Sequence, residues 1–325
     1  MNKLHALIIL GLVALAPAQA AAQQGQVYRD ASGLVAPAEI EGLVRHQEQS
    51  RGGDLVLSYR DTRTRTAMTV YFTRTALPSA SMWFDQARFA LQHNPAFRID
   101  PASATEQVFG AGGQQANGRA VSYRASGSGA RATVLAMVST GGRILKVRIS
   151  SERLDQAELL GRAIRAAQAL QWPATAVPPA MTALEPCRGT VPSTSPGARA
   201  AEASPELVRE ASASLLQSLG EARAASLCRG ERAGMLGVFG GAGAGYLLAL
   251  GDAGLVARVR PLGRDNLHVV EFFTYDSAHV AGIFDGVPTP EQALQASTAA
   301  YQGAALARVP LPDASERPTP GTPLT

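Results

Sequence analysis

The chain has 325 residues, 46% of them hydrophobic and 17% charged, with a formal net charge of +4. Apolar content on that scale can bury more than one core, and a length prior of about 150 residues per domain predicts two. With only two cysteines, Cys187 and Cys228, far apart in sequence, a C-x-x-C redox pair is excluded. The net charge conceals a split: residues 23–172 carry 18 Arg and Lys against 12 Asp and Glu, and residues 173–325 carry 11 against 14. A basic front half therefore precedes a mildly acidic back half.

The chain opens with Lys3, an apolar run over residues 7–13, and Pro17-Ala18-Gln19-Ala20. A basic start, a short apolar stretch and a small-x-small site predict a signal peptide over residues 1–22, cleaved near Ala20 or Ala22. The run is much shorter than the ~20 residues that span a bilayer, and no cysteine follows the cleavage site to carry a lipid. Ala, Arg and Gly are abundant and there are only two lysines, a bias that points to a GC-rich bacterial genome. The mature protein is expected in the periplasm or secreted. In that oxidising compartment Cys187 and Cys228 are expected to form a disulfide. A basic face there meets an anionic envelope component or an acidic protein as partner, rather than nucleic acid.

In the front half, Ile40, Leu43 and Val44 predict a short helix over residues 37–49, with His46 on its polar side. Residues 55–59 and 68–72 read as strands joined by the basic segment Asp61-Thr62-Arg63-Thr64-Arg65, with Met68, Val70 and Phe72 on one face. From Ser81, Trp83, Phe84, Ala87, Ala90 and Leu91 recur at helical spacing until Asn94-Pro95, and Trp83 and Phe84 are expected in the core. His93 falls at that helix's end, where it complements the dipole. Residues 106–109 and 119–124 are two further strands. The strongest signal follows. Two apolar runs meet at Gly141-Gly142, a two-residue turn that accepts positive φ. This register pairs Val138 with Leu145, Ala136 with Val147 and Val134 with Ile149 on one buried face. The other face pairs Met137 with Lys146 and Leu135 with Arg148, and is expected to be partly open to water. A helix beginning near Asp155, with Glu158 three residues on as a capping box, carries Leu160, Ala163, Ile164, Ala167 and Leu170 on one stripe and stops at Trp172-Pro173.

The element order, the strand over residues 144–150 and the closing helix over residues 155–171 resemble the PsbP/DcrB-like sandwich domains of exported proteins. That resemblance covers about 120 residues and implies a binding or assembly-accessory domain with no catalytic residues. Residues 173–205 are rich in Pro, Ser, Thr and Ala and read as an interdomain linker. Ser204-Pro205 caps a helix marked by Val208, Ala211, Leu215, Leu219 and Ala222. Strands over residues 235–239, 246–250, 255–260 and 267–275 form a meander, and a last helix covers residues 290–306. Residues 310–325 read as a disordered tail. The expected fold class is α+β in two domains, residues 23–172 and 206–309, each an antiparallel sheet packed with helices.

Three sets of residues carry candidate chemistry. Residues 234–251 lack charge and hold Gly237, Gly241 and Gly245 at the spacing of packed membrane helices, which makes a membrane-tethered protein one alternative. Each glycine costs a helix about 1 kcal/mol, so two strands with a glycine-rich turn are the expected structure and no stable membrane span is expected. His268, Glu271, Asp276, His279 and Asp285 lie close in sequence and make a metal-dependent or hydrolytic enzyme a second alternative. Strand parity places His268 with Val270 and Phe272 and turns Glu271 the opposite way, while Asp276 and His279 are expected in the following turn. No cofactor motif is present, and none is expected. Finally, Arg60, Arg63, Arg65 and Arg74 surround one hairpin, and Lys146 and Arg148 project from the expected open face of the next. Together they form a candidate docking face for an anionic partner. The expected role is a non-catalytic binding or assembly-accessory factor of the envelope.

Overall fold

The computed structural model describes residues 27–29, 33–51, 54–173, 178, 180–195, 197–241, 243–251, 254–264 and 266–311. The expected signal peptide and most of the expected tail lie outside the described residues. The fold is a mixed α+β arrangement of antiparallel sheets and helices. The front sheet is built from β1 (Glu39–Ile40), β2 (Leu43–Arg51), β3 (Asp54–Asp61), β4 (Thr66–Arg74), β5 (Thr105–Phe109), β6 (Gly118–Arg124), β7 (Ala132–Ser139) and β8 (Arg143–Ser151). Its spatial order is β1-β2-β3-β4-β8-β7-β6-β5. The Gly141-Gly142 hairpin has the register read from sequence, with Leu145 opposite Val138, Val147 opposite Ala136 and Ile149 opposite Val134.

One face of this sheet lies under α2 (Gln156–Ala169), which packs against β6, β7 and β8 through Leu159, Leu160, Ala163, Ile164 and Ala167. Asp155 caps α2 by accepting from the Glu158 amide at 2.9 Å. The opposite face differs from expectation. Leu135 and Met137 are 2% exposed and Lys146 is 7% exposed. They are covered by α1 (Ala80–Gln92) and by the back half of the chain, which the local pairing rule could not see.

Residues 37–49 are not a helix. Ile40 and Leu43 face each other across the Glu41-Gly42 turn, whose φ values are +53° and +77°. Both left-handed residues suit a tight hairpin. Apolar residues at i and i+3 fit a helix face and also a two-residue hairpin pair, so the spacing was ambiguous.

The back sheet holds β9 (Arg199–Ala200), β10 (Cys228–Arg229), β11 (Gly237–Gly240), β12 (Tyr246–Leu250), β13 (Leu255–Pro261), β14 (Leu267–Phe273), β15 (Ser277–Asp285) and β16 (Ala307–Pro310). Its order is β9-β15-β14-β13-β12-β11-β10, and β16 also pairs with β15. The stretch over residues 234–251 thus supplies β11 and β12. Gly245, at φ +113°, makes the turn possible, because a Cβ there would stand 1.9 Å from the Val259 carbonyl oxygen. Among the described residues, no helix is long and apolar enough to cross a membrane. The expected meander of four strands gains four more, including β15, where a turn was expected. The expected last helix ends early: α5 (Pro290–Ala299) gives way to a π-helical turn over residues 300–304 and then to β16.

The expected single helix after Ser204 is two, α3 (Pro205–Ala213) and α4 (Leu215–Ala224). Ser214 separates them, its hydroxyl bonding back to the Glu210 and Ala211 carbonyls. Such back-bonding competes with the helical ladder. The proline-rich stretch is largely exposed where it is described but is pinned at a few positions. Met181 is 3% exposed, its amide donating to the Ala116 carbonyl at 2.8 Å, and Arg199 and Ala200 pair with Asp285 and Phe284.

One apolar cluster joins the halves. Trp83 and Phe84 of α1 pack with Leu135 and Met137 below and with Leu219, Phe239 and Leu247 of the back half. Polar contacts reinforce the seam. Asp85 accepts from Arg229 at 3.2 Å and Arg232 at 2.5 Å, and Gln86 donates to the Met235 carbonyl at 3.0 Å. At Gly254, φ +81°, the backbone comes so close that a Cβ would lie 2.7 Å from the Arg74 carbonyl oxygen.

Candidate functional site

The turn between β3 and β4 is built by its own side chains. Asp61 accepts from the Arg63 amide at 2.9 Å, the Thr64 amide at 3.3 Å and the Thr64 hydroxyl at 2.5 Å. Arg162 of α2 donates at 3.4 Å to Oδ2, the oxygen that also takes the Thr64 hydroxyl. Burial pushes the Asp61 carboxyl up, but these donors together outweigh it and hold the group below its usual value. A carboxylate with a depressed folded value stabilises the fold above its unfolded value of about 3.9, and the contribution is lost as pH falls through the folded value. Wild-type protein and Asp61→Asn should therefore differ in unfolding midpoint at neutral pH and converge as the pH is lowered below about 4. A gap that stays constant across this acid range would remove the charge from the explanation.

A hydroxyl ladder then ties the turn to its neighbour. Thr66 donates to Ser151 at 2.8 Å, and the Ser151 hydroxyl donates to the Thr64 carbonyl at 3.2 Å and accepts the Arg153 and Leu154 amides at 3.2 and 3.1 Å. The arginines of this end therefore stand on a fixed backbone. Thr66 pairs with Ser151 and Ser151 with Ala132, so Arg65, Glu152 and Arg131, one residue beyond, follow one another across three strand ends. Arg65 and Glu152 form an ion pair at 2.9 Å. Arg153 reaches back to the Arg63 carbonyl at 2.9 Å. Arg60, Arg63, Arg65, Arg131 and Arg153 are all exposed. The side chains of Arg63 and Arg131 have no hydrogen bond or ion pair among the described residues.

Three members of the expected docking face stand elsewhere. Arg74 is at the far end of β4, nine residues from Arg65 and roughly 30 Å away at about 3.4 Å per residue. There its guanidinium stacks on Tyr275 of the back half, 4.3 Å from the ring centre. Lys146 is buried above Tyr71 at 4.3 Å, and half-buried Arg148 lies over Phe97 at 4.6 Å. Cation–π contacts of this kind favour a positive group that has lost water. Strand parity places Lys146 and Arg148 but does not say that a second layer covers their face, and nearness to the hairpin in sequence places Arg74 without saying which end of the strand it occupies. Arg131 and Arg153 went unremarked because only the fold brings their loops beside the Arg63 turn. The apolar strands that each flanks were the available signal.

The back-half histidines and carboxylates do not converge. His268 bonds the Asn266 carbonyl through Nδ1 at 2.9 Å. Asp276 accepts from the Thr274 and Ser277 hydroxyls at 2.6 and 2.8 Å, and the Thr274 contact leads in holding its carboxyl below the usual value. His279, expected in a turn, is a buried residue of β15, with Nε2 2.9 Å from the Ser277 hydroxyl and its ring against Phe272 at 5.5 Å. Burial, with Arg308 nearby, pushes its ring below the usual histidine value. Asp285 meets Arg199 at 3.6 Å and the Asn266 amide at 3.3 Å. Glu271 points to the other side of the sheet, as parity predicts, and is fully buried beside Arg260 at 2.8 Å and the Ser218 hydroxyl of α4. Burial pushes its carboxyl up, while Arg260 and Ser218 oppose the shift. Among the described residues, no three His, Cys, Asp or Glu side chains assemble as a metal-binding group.

No family model matches the chain, and no curated protein matches it. Among solved structures it is similar to a crystal structure from Bacteroides thetaiotaomicron VPI-5482, with 11% identity and a TM-score of 0.22. The match covers 61% of this chain and 60% of that one, less than two thirds of its length.

The cysteines are bridged, with Cα atoms 4.9 Å apart. Beside the bridge, Pro186 and Arg229 form a short parallel bridge, and the Cys187 amide donates to the Arg229 carbonyl at 2.9 Å. The bridge thereby holds Arg229, and through it the Asp85 contact of α1.

Proposed function

We propose that this chain is an exported bacterial envelope protein, periplasmic or secreted, that acts as a non-catalytic binding or assembly-accessory factor. Its front half is read as a PsbP/DcrB-like unit and its back half as a second α+β unit, the two locked through α1. The observation that carries the reading is the arginine-rich end of the front sheet, where Arg63 and Arg131 present exposed guanidinium groups that make no hydrogen bond or ion pair among the described residues. The disulfide supports export, since such bridges persist in oxidising compartments.

The partner is an anionic envelope component or an acidic protein. Wild-type protein is expected to be retained on a heparin matrix and to elute with salt, because exposed charges are screened over about 10 Å at 0.1 M. Arg63→Glu/Arg65→Glu should elute at markedly lower salt. Retention that ignores both salt and charge reversal would dispose of the basic end as a docking site.

A further inference from the structure

The basic end is wider than a single small anion. With about 4.8 Å between neighbouring strands, Arg65, Glu152 and Arg131 extend over roughly 10 Å. Arg63 and Arg153 add charge on one flank. On the other, the loop over residues 126–130 comes up beside Glu152, since a Cβ on Gly129 would meet the Glu152 carboxyl at 3.4 Å. That loop is bound to a second arginine-bearing segment. The Ser128 hydroxyl donates to the Ala96 carbonyl at 2.7 Å, and the Ser126 hydroxyl to the Arg98 carbonyl at 3.3 Å.

The backbone here is unusual. Among the described residues five non-glycine positions have positive φ, and three of them belong to this end: Arg65 at +48°, Arg98 at +44° and Ser128 at +50°. Left-handed conformations cost such residues roughly 1 to 2 kcal/mol each and concentrate where the surrounding structure enforces a function. Two of the three are arginines, and both are exposed.

We infer that this end of the front sheet docks on the phosphate groups of an anionic lipid surface. The inference rests on the anionic-partner reading above and names the partner. The guanidinium groups of Arg63 and Arg131 can each take a phosphate bidentately, and with Arg65 and Arg153 between and beside them the positive groups are spread over strand ends at a spacing that a single phosphate cannot bridge but a layer of headgroups meets at many points. Glu152 sits among them and is neutralised by Arg65, so the row remains positive in sum.

The test is co-sedimentation with vesicles of equal parts phosphatidylglycerol and phosphatidylcholine, and with vesicles of phosphatidylcholine alone. Wild-type protein should bind the anionic vesicles only, and salt should release it. A basic residue near such a surface contributes about 1 kcal/mol, or roughly fivefold, so Arg63→Gln/Arg131→Gln should bind about 30-fold more weakly. Neither side chain has a partner in the described fold, so the variant should unfold as wild type does. Arg188→Gln/Arg209→Gln makes the same charge change on the back half and should bind as wild type. Equal losses in both variants would reduce the effect to net charge and overturn the inference. If wild-type protein is retained on heparin yet ignores the anionic vesicles, the lipid partner is wrong while the anionic-partner reading stands. Failure on both would end both.

Discussion

Replacing Cys187 and Cys228 together with serine should lower the free energy of unfolding by about 4 kcal/mol under oxidising conditions. The two positions are 41 residues apart, and cross-linking a loop of that length removes about this much chain entropy from the unfolded state. The figure is near the upper end because contacts beside the bridge survive its loss. Arg229 still donates to the Glu185 carbonyl at 2.8 Å and Glu231 to that of Val191 at 2.7 Å. Urea unfolding with and without reductant makes the comparison: wild type should fall towards the serine variant when reduced, and the variant should not respond. Coincident midpoints under oxidising conditions would mean that the bridge restrains nothing in the unfolded chain. Local effects should appear first around Asp85, since the bridge adjoins Arg229 and, through it, the seam between the two halves.

Glu271→Ala is the second large effect, with an expected loss of about 3 to 5 kcal/mol, as for a buried ion pair broken from one side. Arg260 contacts Glu271 at 2.8 Å, and Arg258, 3% exposed, donates to the Ser218 hydroxyl at 2.6 Å and reaches Glu221 at 3.1 Å. Removing the carboxylate leaves Arg260, whose side chain is only 14% exposed, with the Ser214 hydroxyl and the Pro261 carbonyl as its remaining partners, which places the expected loss at the lower end of that range. Glu271→Gln keeps an acceptor for that guanidinium and should cost less, on the order of 1.5 to 3 kcal/mol. Glu271→Leu combined with Arg260→Met should cost less than the alanine variant alone, because neither partner is left unpaired. Denaturant midpoints of the three variants decide the matter. An alanine variant within about 1 kcal/mol of wild type would show that α4 is held by its apolar face, through Leu215 and Leu219, and not by this network.

Short-range features were legible in the sequence. The Gly-Gly turn, the six-residue pairing across it, the Asp155 and Ser204 caps, the α1 core positions and the strand character of residues 237–250 all depend on neighbours within a few residues. Period and turn chemistry therefore suffice for them. The Glu41-Gly42 hairpin was misread because its apolar spacing satisfies two periods at once. β15 was missed because its Gly282 and polar ends weaken the strand pattern. The pairing with β14, β16 and β9 that stabilises it lies far away in sequence. The break at Ser214 was equally hidden, since the Arg260 that bonds its hydroxyl comes from β13.

The same division runs through the candidate site. The sequence by itself determined the basic Asp61–Arg65 turn, the cysteine pair and the opposite facing of His268 and Glu271, each a consequence of local parity or composition. Tertiary structure alone decided that Lys146, Arg148 and Arg74 are drawn onto aromatic rings instead of water, and that Arg131 and Arg153 join Arg63 and Arg65. Strand alternation assigns a side chain to a face, but whether that face meets solvent depends on a layer contributed from elsewhere in the chain. Here that layer is α1 and the back half, whose apolar surfaces are removed from water only by covering the far side of the front sheet.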